Sequence, residues 1–517
     1  MLLRLPGITR LAGLSWLRPG HAYCLLAVST IVYLTAIMPI PPNDLWWHLR
    51  VGQIISEEAR IPTTNLFSWS IPPDTPFVWN AWLAEWLLFQ EYRLGHVELV
   101  AFTRNLLLLT TLGLAAVEAR WRGASWPAVT FCIILFGVMM LDNVAVRPQM
   151  WAWLPFVVSM VVLGGYARGQ LRANALLALP VAMAFWTNVH GTFVLGLALI
   201  GAHCAGQAWA ALVGEADSVT WARVRWLCSA GIASALAAFV NPQGPAIYDV
   251  VRDWVQTPSQ QLSIESNPPT PVGIGHLAFY GSILLLLFVL ARSQRRPTVT
   301  DLFLICGFLW LAWSGQRYVF WFALVAMPIL AQHLSTAPRT EDASGRRMPT
   351  TVNALLAIVA VAPIVLAQPW ILTRLPLIDQ DEDRRLTVLG EPLLSAETPV
   401  ASAEYLNAHP GGRLFAELSY SSYVVWALPG RTVFVDPRIT PFSVAQWNDY
   451  VRIGDGVGSS DLLAHYGADL VLLSKKSQPR LSAALAESPG WGREYEDRWS
   501  EVWRFQAART SPSEAAR

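Results

Sequence analysis

Residues 41–70 read PPNDLWWHLRVGQIISEEARIPTTNLFSWS, and residues 77–95 read FVWNAWLAEWLLFQEYRLG. Each stretch carries an apolar stripe at helical spacing. In the first, Leu45, Trp46, Leu49, Ile54 and Ile55 recur on one face, behind an N-cap at Asn43 or Asp44. The second, about Ala81–Leu94, contains Glu85 and Glu91 and falls short of the roughly 20 residues that cross a bilayer. It is therefore expected to lie along a membrane surface. Trp46, Trp47, Trp69, Trp79, Trp82 and Trp86 suit the same interfacial position.

The rest of the chain supplies the membrane. It has 517 residues, 54% hydrophobic and 14% charged, with mean hydropathy +0.38, against about 25% charged for soluble domains. Eleven spans are predicted, at 22–40, 97–117, 126–142, 149–166, 173–187, 190–213, 226–240, 275–292, 301–314, 318–336 and 351–370. Arginine orients them. Arg4, Arg10 and Arg18 precede span one, and alternate loops carry Arg120/Arg122, Arg168/Arg172, Arg223/Arg225, Arg292/Arg295/Arg296 and Arg339/Arg346/Arg347. By the positive-inside rule those loops and the N-terminus are cytoplasmic, and an odd span count sends the C-terminal region outside. A cleaved signal is not expected, because span one is long and no small-residue cleavage site follows.

Residues 1–370 are thus expected as a bundle that includes the first outer loop, 41–96, with its two surface helices, and a proline-rich, irregular outer loop at 241–274. A linker at 371–394, marked by the acidic run Asp379–Asp383, leads to a soluble α/β domain over 395–507 and a disordered tail at 508–517. In that domain GRLFAEL, RTVFVDPR and ADLVLLSK read as strands. SSYVVWAL, SVAQWNDYVRI, SDLLAHYG and LSAALAES read as helices, and REYEDRWSEVWRFQ as a hairpin, so mainly parallel strands are expected. No P-loop, GxGxxG or nucleophile elbow occurs in it. Cys24, Cys132, Cys204, Cys228 and Cys306 lie in or beside spans without zinc-ligand spacing. A net charge of +1 offers nothing to nucleic acid.

Polar residues gather on the loops opposite the arginine-rich ones: Asp44, His48, Glu85, Asp142, Asn188, His190, Asn241 and Glu265, with Arg147 and Arg317 at span ends. Asp44 and His48, four apart, share a helix face; the pair either fixes an imidazole tautomer, ligates a divalent ion, or amounts to a cap beside a headgroup-level histidine. Glu85 is either a costly functional carboxylate at a membrane surface or a solvent-facing charge. Asp142 is a site residue or an ordinary polar terminus. Arg147 either grips a phosphate or snorkels to headgroups. FWTNVHGTF (185–193) sets Asn188 and His190 in a short turn, and Gln316 and Arg317 open span ten. Asn241-Pro242 reads as a helix stop, Glu265 as a loop carboxylate within reach of the bundle, and Asp436 with Arg438 as a structural ion pair.

The first loop resembles the GT-C superfamily of integral-membrane glycosyltransferases, in particular the protein-mannosyltransferase and aminoarabinose-transferase branch. The resemblance rests on Asp44 after span one, IPTT, FVWNAWLAEWLLFQEYRLG and the following Arg104. More closely, the chain is similar to bacterial multi-pass members with DLWWHL…IPTTNLFS…WLAEWLLF, TNVHG and a C-terminal VFVDPR. It departs from the branch at two places: Leu45, not a second acid, follows Asp44, and Trp79-Asn80-Ala81 stands where many relatives have Lys-Pro-Pro. The resemblance implies a bacterial inner-membrane enzyme that moves a sugar from a polyprenyl-phosphate donor to an extracytoplasmic glycan, lipid or protein. It implies inversion, with Asp44, Glu85 and Asp142 as the catalytic carboxylates and Asp44 the first choice of base. His48, Arg147, Asn188, His190, Glu265 and Arg317 would bind substrate or phosphate. A divalent cation, Mg or Mn, would be held by Asp44 and His48. The competing classes are a transporter or flippase of lipid-linked intermediates and a non-catalytic scaffold of envelope polysaccharide assembly. Oligomeric state is not encoded in any of these features.

Overall fold

The helix that begins at Trp82 runs to Trp121 but is broken at Gly95 and His96, whose backbone angles are non-helical (His96 φ 51°). The break divides the chain's packing as well. The computed structural model describes residues 19–214, 221–257, 264–335, 350–366, 368–372 and 393–506, and their contacts form two units. One comprises Met1–Met38, Leu99–Tyr248 and Ser263–Arg374, the other Pro39–Glu98, Asp249–Leu262 and Leu375–Arg517. Arg4, Arg10, Arg18, Arg339, Arg346, Arg347, the Asp379–Asp383 run and the 508–517 tail lie outside the described residues.

In chain order the helices are α1 (Pro19–Ala36), α2 (Leu45–Glu58), α3 (Trp82–Trp121), α4 (Trp126–Met140), α5 (Met150–Ala167), α6 (Ala178–Val189), α7 (Phe193–Val213), α8 (Trp221–Ala237), α9 (Ile247–Gln256), α10 (Ile274–Arg292), α11 (Val299–Ser314), α12 (Val319–Leu334), α13 (Thr350–Leu366) and α14 (Pro369–Leu372). A helix thus occupies each of the eleven segments expected to span. Among the described residues six helices are long and apolar enough to cross a membrane, and four shorter apolar ones accompany them; α8, with Arg223 and Arg225 in its first turns, belongs to neither group. The protein is a multi-pass membrane protein. The loop 241–274 is less irregular than its prolines suggested, since Ile247–Gln256 is helical.

Local chemistry sets several boundaries. Ser125 caps α4 with Pro127 in the first turn, and Thr298 with Asp301 forms a reciprocal capping box at α11. Asp301 also accepts from Arg122, 2.7 Å away. Arg122 and Arg168 both pair with Glu118, whose side chain is fully buried. A carboxylate at that depth needs such partners, so two of the arginines that oriented the topology also lock α3, α5 and α11 together.

The second unit continues through α15 (Val400–Ala408), β1 (Leu414–Ala416), α16 (Leu418–Ala427), α17 (Val444–Gly454), α18 (Ser459–Tyr466), β2 (Leu470–Ser474), α19 (Pro479–Glu487), β3 (Trp491–Glu496) and β4 (Ser500–Phe505). The sheet order is β1-β2-β4-β3, and only β1–β2 is parallel. The expectation of mainly parallel strands is corrected here: the closing hairpin contributes two antiparallel strands. RTVFVDPR is not a strand either. Val433 makes single bridges to Leu414 and Ser68, and Pro437 two residues before Ile439 cannot donate to a ladder.

Strand alternation sorts the core. Leu414, Ala416, Leu470, Leu472 and Val502 face one way and pack with Trp47, Val51, Ile55, Phe67 and Trp79 of the first loop. Phe415, Val471, Leu473 and Trp503 face the other way, among Trp447, Ile453, Leu463, Leu481 and Leu485. The first loop therefore belongs with the C-terminal sheet, not with the bundle as expected, because Trp47, Val51, Ile55, Phe67 and Trp79 cover one face of that sheet. Tyr423 packs edge-on to Trp46, and Ser422 donates to the Asn43 carbonyl while accepting from the Trp47 amide. Consequently Leu45, Trp46, Trp47, Leu49, Val51 and Ile55 of α2 are buried by protein.

Candidate functional site

Within the second unit, Asp44 stands at the start of α2, where its side chain makes no capping bond; the Asn43 side chain accepts from the Leu45 amide instead. One turn on, His48 Nδ1 lies 2.9 Å from Glu85 Oε1. Gly52 makes this possible. It lets α2 approach the carbonyl of Glu85 so closely that a Cβ there would collide with it. Glu85 is 1% exposed, and its Oε2 has no hydrogen-bond partner among the described residues. It is neither solvent-facing nor an exposed charge on a surface helix. Burial pushes its carboxyl up to about 8, so near neutrality a protonated Glu85 is favoured, and the pair acts as a hydrogen-bonded prop for the His48 ring, which also stacks on Trp47. His48 and Glu85 thus meet across facing turns of two helices, one turn beyond Asp44.

Arg438 shows what the VFVDPR segment does. Its guanidinium makes 2.7 Å bonds to both oxygens of Asp436 and to Asn65 Oδ1, and it lies 4.9–5.4 Å from the Phe67, Phe77 and Trp79 rings. Both charged side chains are fully buried. The pair is structural, pinning the first loop to the domain.

The bundle carries a separate basic cluster. Arg147, between α4 and α5, donates from Nη1 to both oxygens of Glu265, at 2.8 and 2.9 Å. Arg317, ahead of α12, bonds the neighbouring Ser266 hydroxyl, and the Gln316 amide donates to the Asn267 carbonyl. The short 264–266 turn is therefore held by two arginines. His190 follows α6; burial and the positive charges of Arg147 and Arg317 push its imidazole down to about 3. Asn188 donates to the Val240 carbonyl, tying the end of α6 to the end of α8. Asn241 braces the turn that follows, accepting from the Gln243 amide. Asp142 sits against α10, where a side chain at Gly275 would meet its carboxylate.

Sequence reading missed Thr192 and Trp186, which hold His190; a threonine two residues after a histidine carries no motif. Among the described residues no group of three or more His, Cys, Asp or Glu side chains could hold a metal ion.

No family model and no curated protein matches this sequence. Solved structures do. The oligosaccharyltransferase AglB of Archaeoglobus fulgidus, in complex with an inhibitory peptide and a dolichol-phosphate, superposes with TM-score 0.53 at 12% identity, over 95% of this chain and 75% of that one. The chain has the GT-C fold. The mycobacterial arabinofuranosyltransferase AftD gives TM-score 0.51 at 15% identity, over 94% of this chain and 40% of the larger protein. ArnT from Cupriavidus metallidurans gives 0.47 at 14%, over 93% and 96%. At these identities the shared property is the GT-C fold itself, so chemistry must be argued from the residues.

Proposed function

We propose that this chain is a membrane glycosyltransferase that moves a sugar from a polyprenyl-phosphate donor to an extracytoplasmic acceptor, with inversion at the anomeric carbon. The observation that carries the reading is the basic cluster of Arg147 and Arg317 around the Glu265–Ser266 turn, with His190 beside it. Half-buried guanidinium groups presented by a helical bundle are suited to a lipid-borne phosphate. The likeness to AglB, whose structure holds a dolichol-phosphate, supports the same substrate class.

In the proposed reaction the acceptor oxygen or nitrogen attacks the anomeric carbon as the bond from that carbon to the phosphate oxygen breaks. The electron pair of the broken bond leaves on the polyprenyl phosphate, whose growing negative charge Arg147 and Arg317 stabilise. The acceptor proton goes to a carboxylate acting as general base, a role proposed for Asp44 from the sequence resemblance alone. Glu85, protonated near neutrality, is assigned to holding His48, and Asp142 is kept as a second carboxylate for the acceptor. Asn188 supports the turn that bears His190. No step is routed through a divalent cation.

The test is Asp44→Asn in a donor-dependent transfer assay with membranes or purified protein. Transfer is expected to fall by at least about 100-fold, the scale of a lost general base, with unfolding temperature unchanged. Full transfer by a folded Asp44→Asn protein overturns the role of Asp44. Movement of the lipid-linked sugar across vesicles without transfer to any acceptor would instead favour a flippase.

A further inference from the structure

The turn between α6 and α7 holds a chain of hydrogen bonds with a single consistent direction. Trp186 is fully buried on α6, packed against Phe156 and Trp321. Its indole N–H can only donate, and Thr192 Oγ1 lies 3.2 Å away to accept it. The Thr192 hydroxyl then lies 2.9 Å from His190 Nδ1, and the Thr192 backbone N–H points at the same nitrogen from 3.2 Å. A backbone N–H cannot accept, so Nδ1 must present its lone pair to it. The hydroxyl hydrogen completes the arrangement. In a neutral imidazole the remaining proton is then on Nε2.

The charges acting on the ring are those of Arg147 and Arg317, with Glu265 paired to the first. Two nearby cations and burial disfavour an imidazolium. His190 therefore adds a hydrogen-bond donor to the basic cluster without adding a charge.

We infer that Thr192 is a positioning residue that holds His190 as a fixed Nε2–H donor to an anionic oxygen of the lipid phosphate. The inference rests on the phosphate-binding reading of the basic cluster. It assigns His190 to binding and excludes it as the proton donor or acceptor of the reaction. The Trp186–Thr192–His190 chain is the device that keeps the ring in this state.

The test uses full-length protein in nanodiscs, labelled with 15N-histidine, together with binding of polyprenyl phosphate and of the phosphate-free polyprenol. The His190 signals are expected to report the Nε2–H tautomer, unchanged between pH 5.5 and 8.5. Thr192→Val should mix the tautomers and weaken polyprenyl phosphate binding by about tenfold, one lost hydrogen bond to a charged group, while polyprenol binding stays the same. Thr192→Ser, which keeps the hydroxyl, should restore both. An Nδ1–H tautomer, titration of the ring within that range, or unaltered phosphate binding by Thr192→Val overturns the positioning role. Inorganic phosphate competing as well as the polyprenyl phosphate, or wild-type protein binding polyprenol equally, overturns the ligand, and with it the proposed donor; the tautomer measurement separates the two failures.

Discussion

Replacing Asp436 with Asn isolates what holds the first loop to the C-terminal domain. The substitution keeps shape and one accepting oxygen but removes the negative charge facing a fully buried guanidinium. Breaking one half of such a pair costs about 3–5 kcal/mol, because the remaining charge is left without compensation. Here the low end applies. Asn65 Oδ1 still accepts from Arg438, and the Phe67, Phe77 and Trp79 rings still face the cation, a contact worth about 2 kcal/mol when desolvated. A loss near 3 kcal/mol should lower the unfolding temperature of a unit of this size by roughly 6–12 °C. Tryptophan fluorescence of the full chain in detergent reads it, since Trp79 sits over the guanidinium. The double variant Asp436→Leu/Arg438→Met removes both charges and should recover much of the loss. A shift below about 2 °C for Asp436→Asn, or a double variant as unstable as the single one, would refute the reasoning.

Other outcomes follow from the same packing. Gly52→Ala should destabilise the first loop by about 1–3 kcal/mol, the cost of overpacking, because α2 and the Glu85 carbonyl leave no space for a methyl group; unfolding of the variant measures it. Gly206→Ala should act likewise where α7 meets Thr300 of α11, read as reduced thermal stability in detergent. Glu85 has a folded value near 8 against an ordinary 4.5, so the unfolded chain releases its proton first. Its stabilising contribution is full below about pH 4.5 and is lost as pH rises through about 8. Glu85→Gln should flatten that part of the stability–pH curve, and an unchanged slope would count against the buried protonated carboxyl.

Much of this fold is written in local pattern. Apolar runs located the bundle helices, a short continuous apolar run marked Leu470–Ser474, and the closing hairpin was read from its own segment. What local pattern lacks is the partner of an apolar face. Leu45, Trp46, Leu49 and Ile55 form an amphipathic stripe that suits lipid as well as protein, and only the three-dimensional packing shows that they face protein. The same holds for charge. Glu85 among tryptophans looked like a membrane-surface acid, yet a histidine 37 positions earlier is its neighbour. Arg147 and Glu265, 118 residues apart, carry no shared motif. Asp436 and Arg438 were readable as an ion pair because both sit on one short segment, whereas the third member, Asn65, is 373 residues away.

The union of the first loop with the C-terminal sheet has a consequence for biosynthesis. The Trp47 amide and its partner Ser422 are separated by 375 residues, so at 5–20 residues per second the ribosome needs roughly 20–75 s to supply the second after the first. Throughout that interval Trp47, Val51, Ile55, Phe67 and Trp79 have no sheet to cover them. The nascent loop must be sheltered by lipid or by a chaperone until the last hundred residues emerge, and a chain that terminates early leaves an adhesive aromatic surface behind.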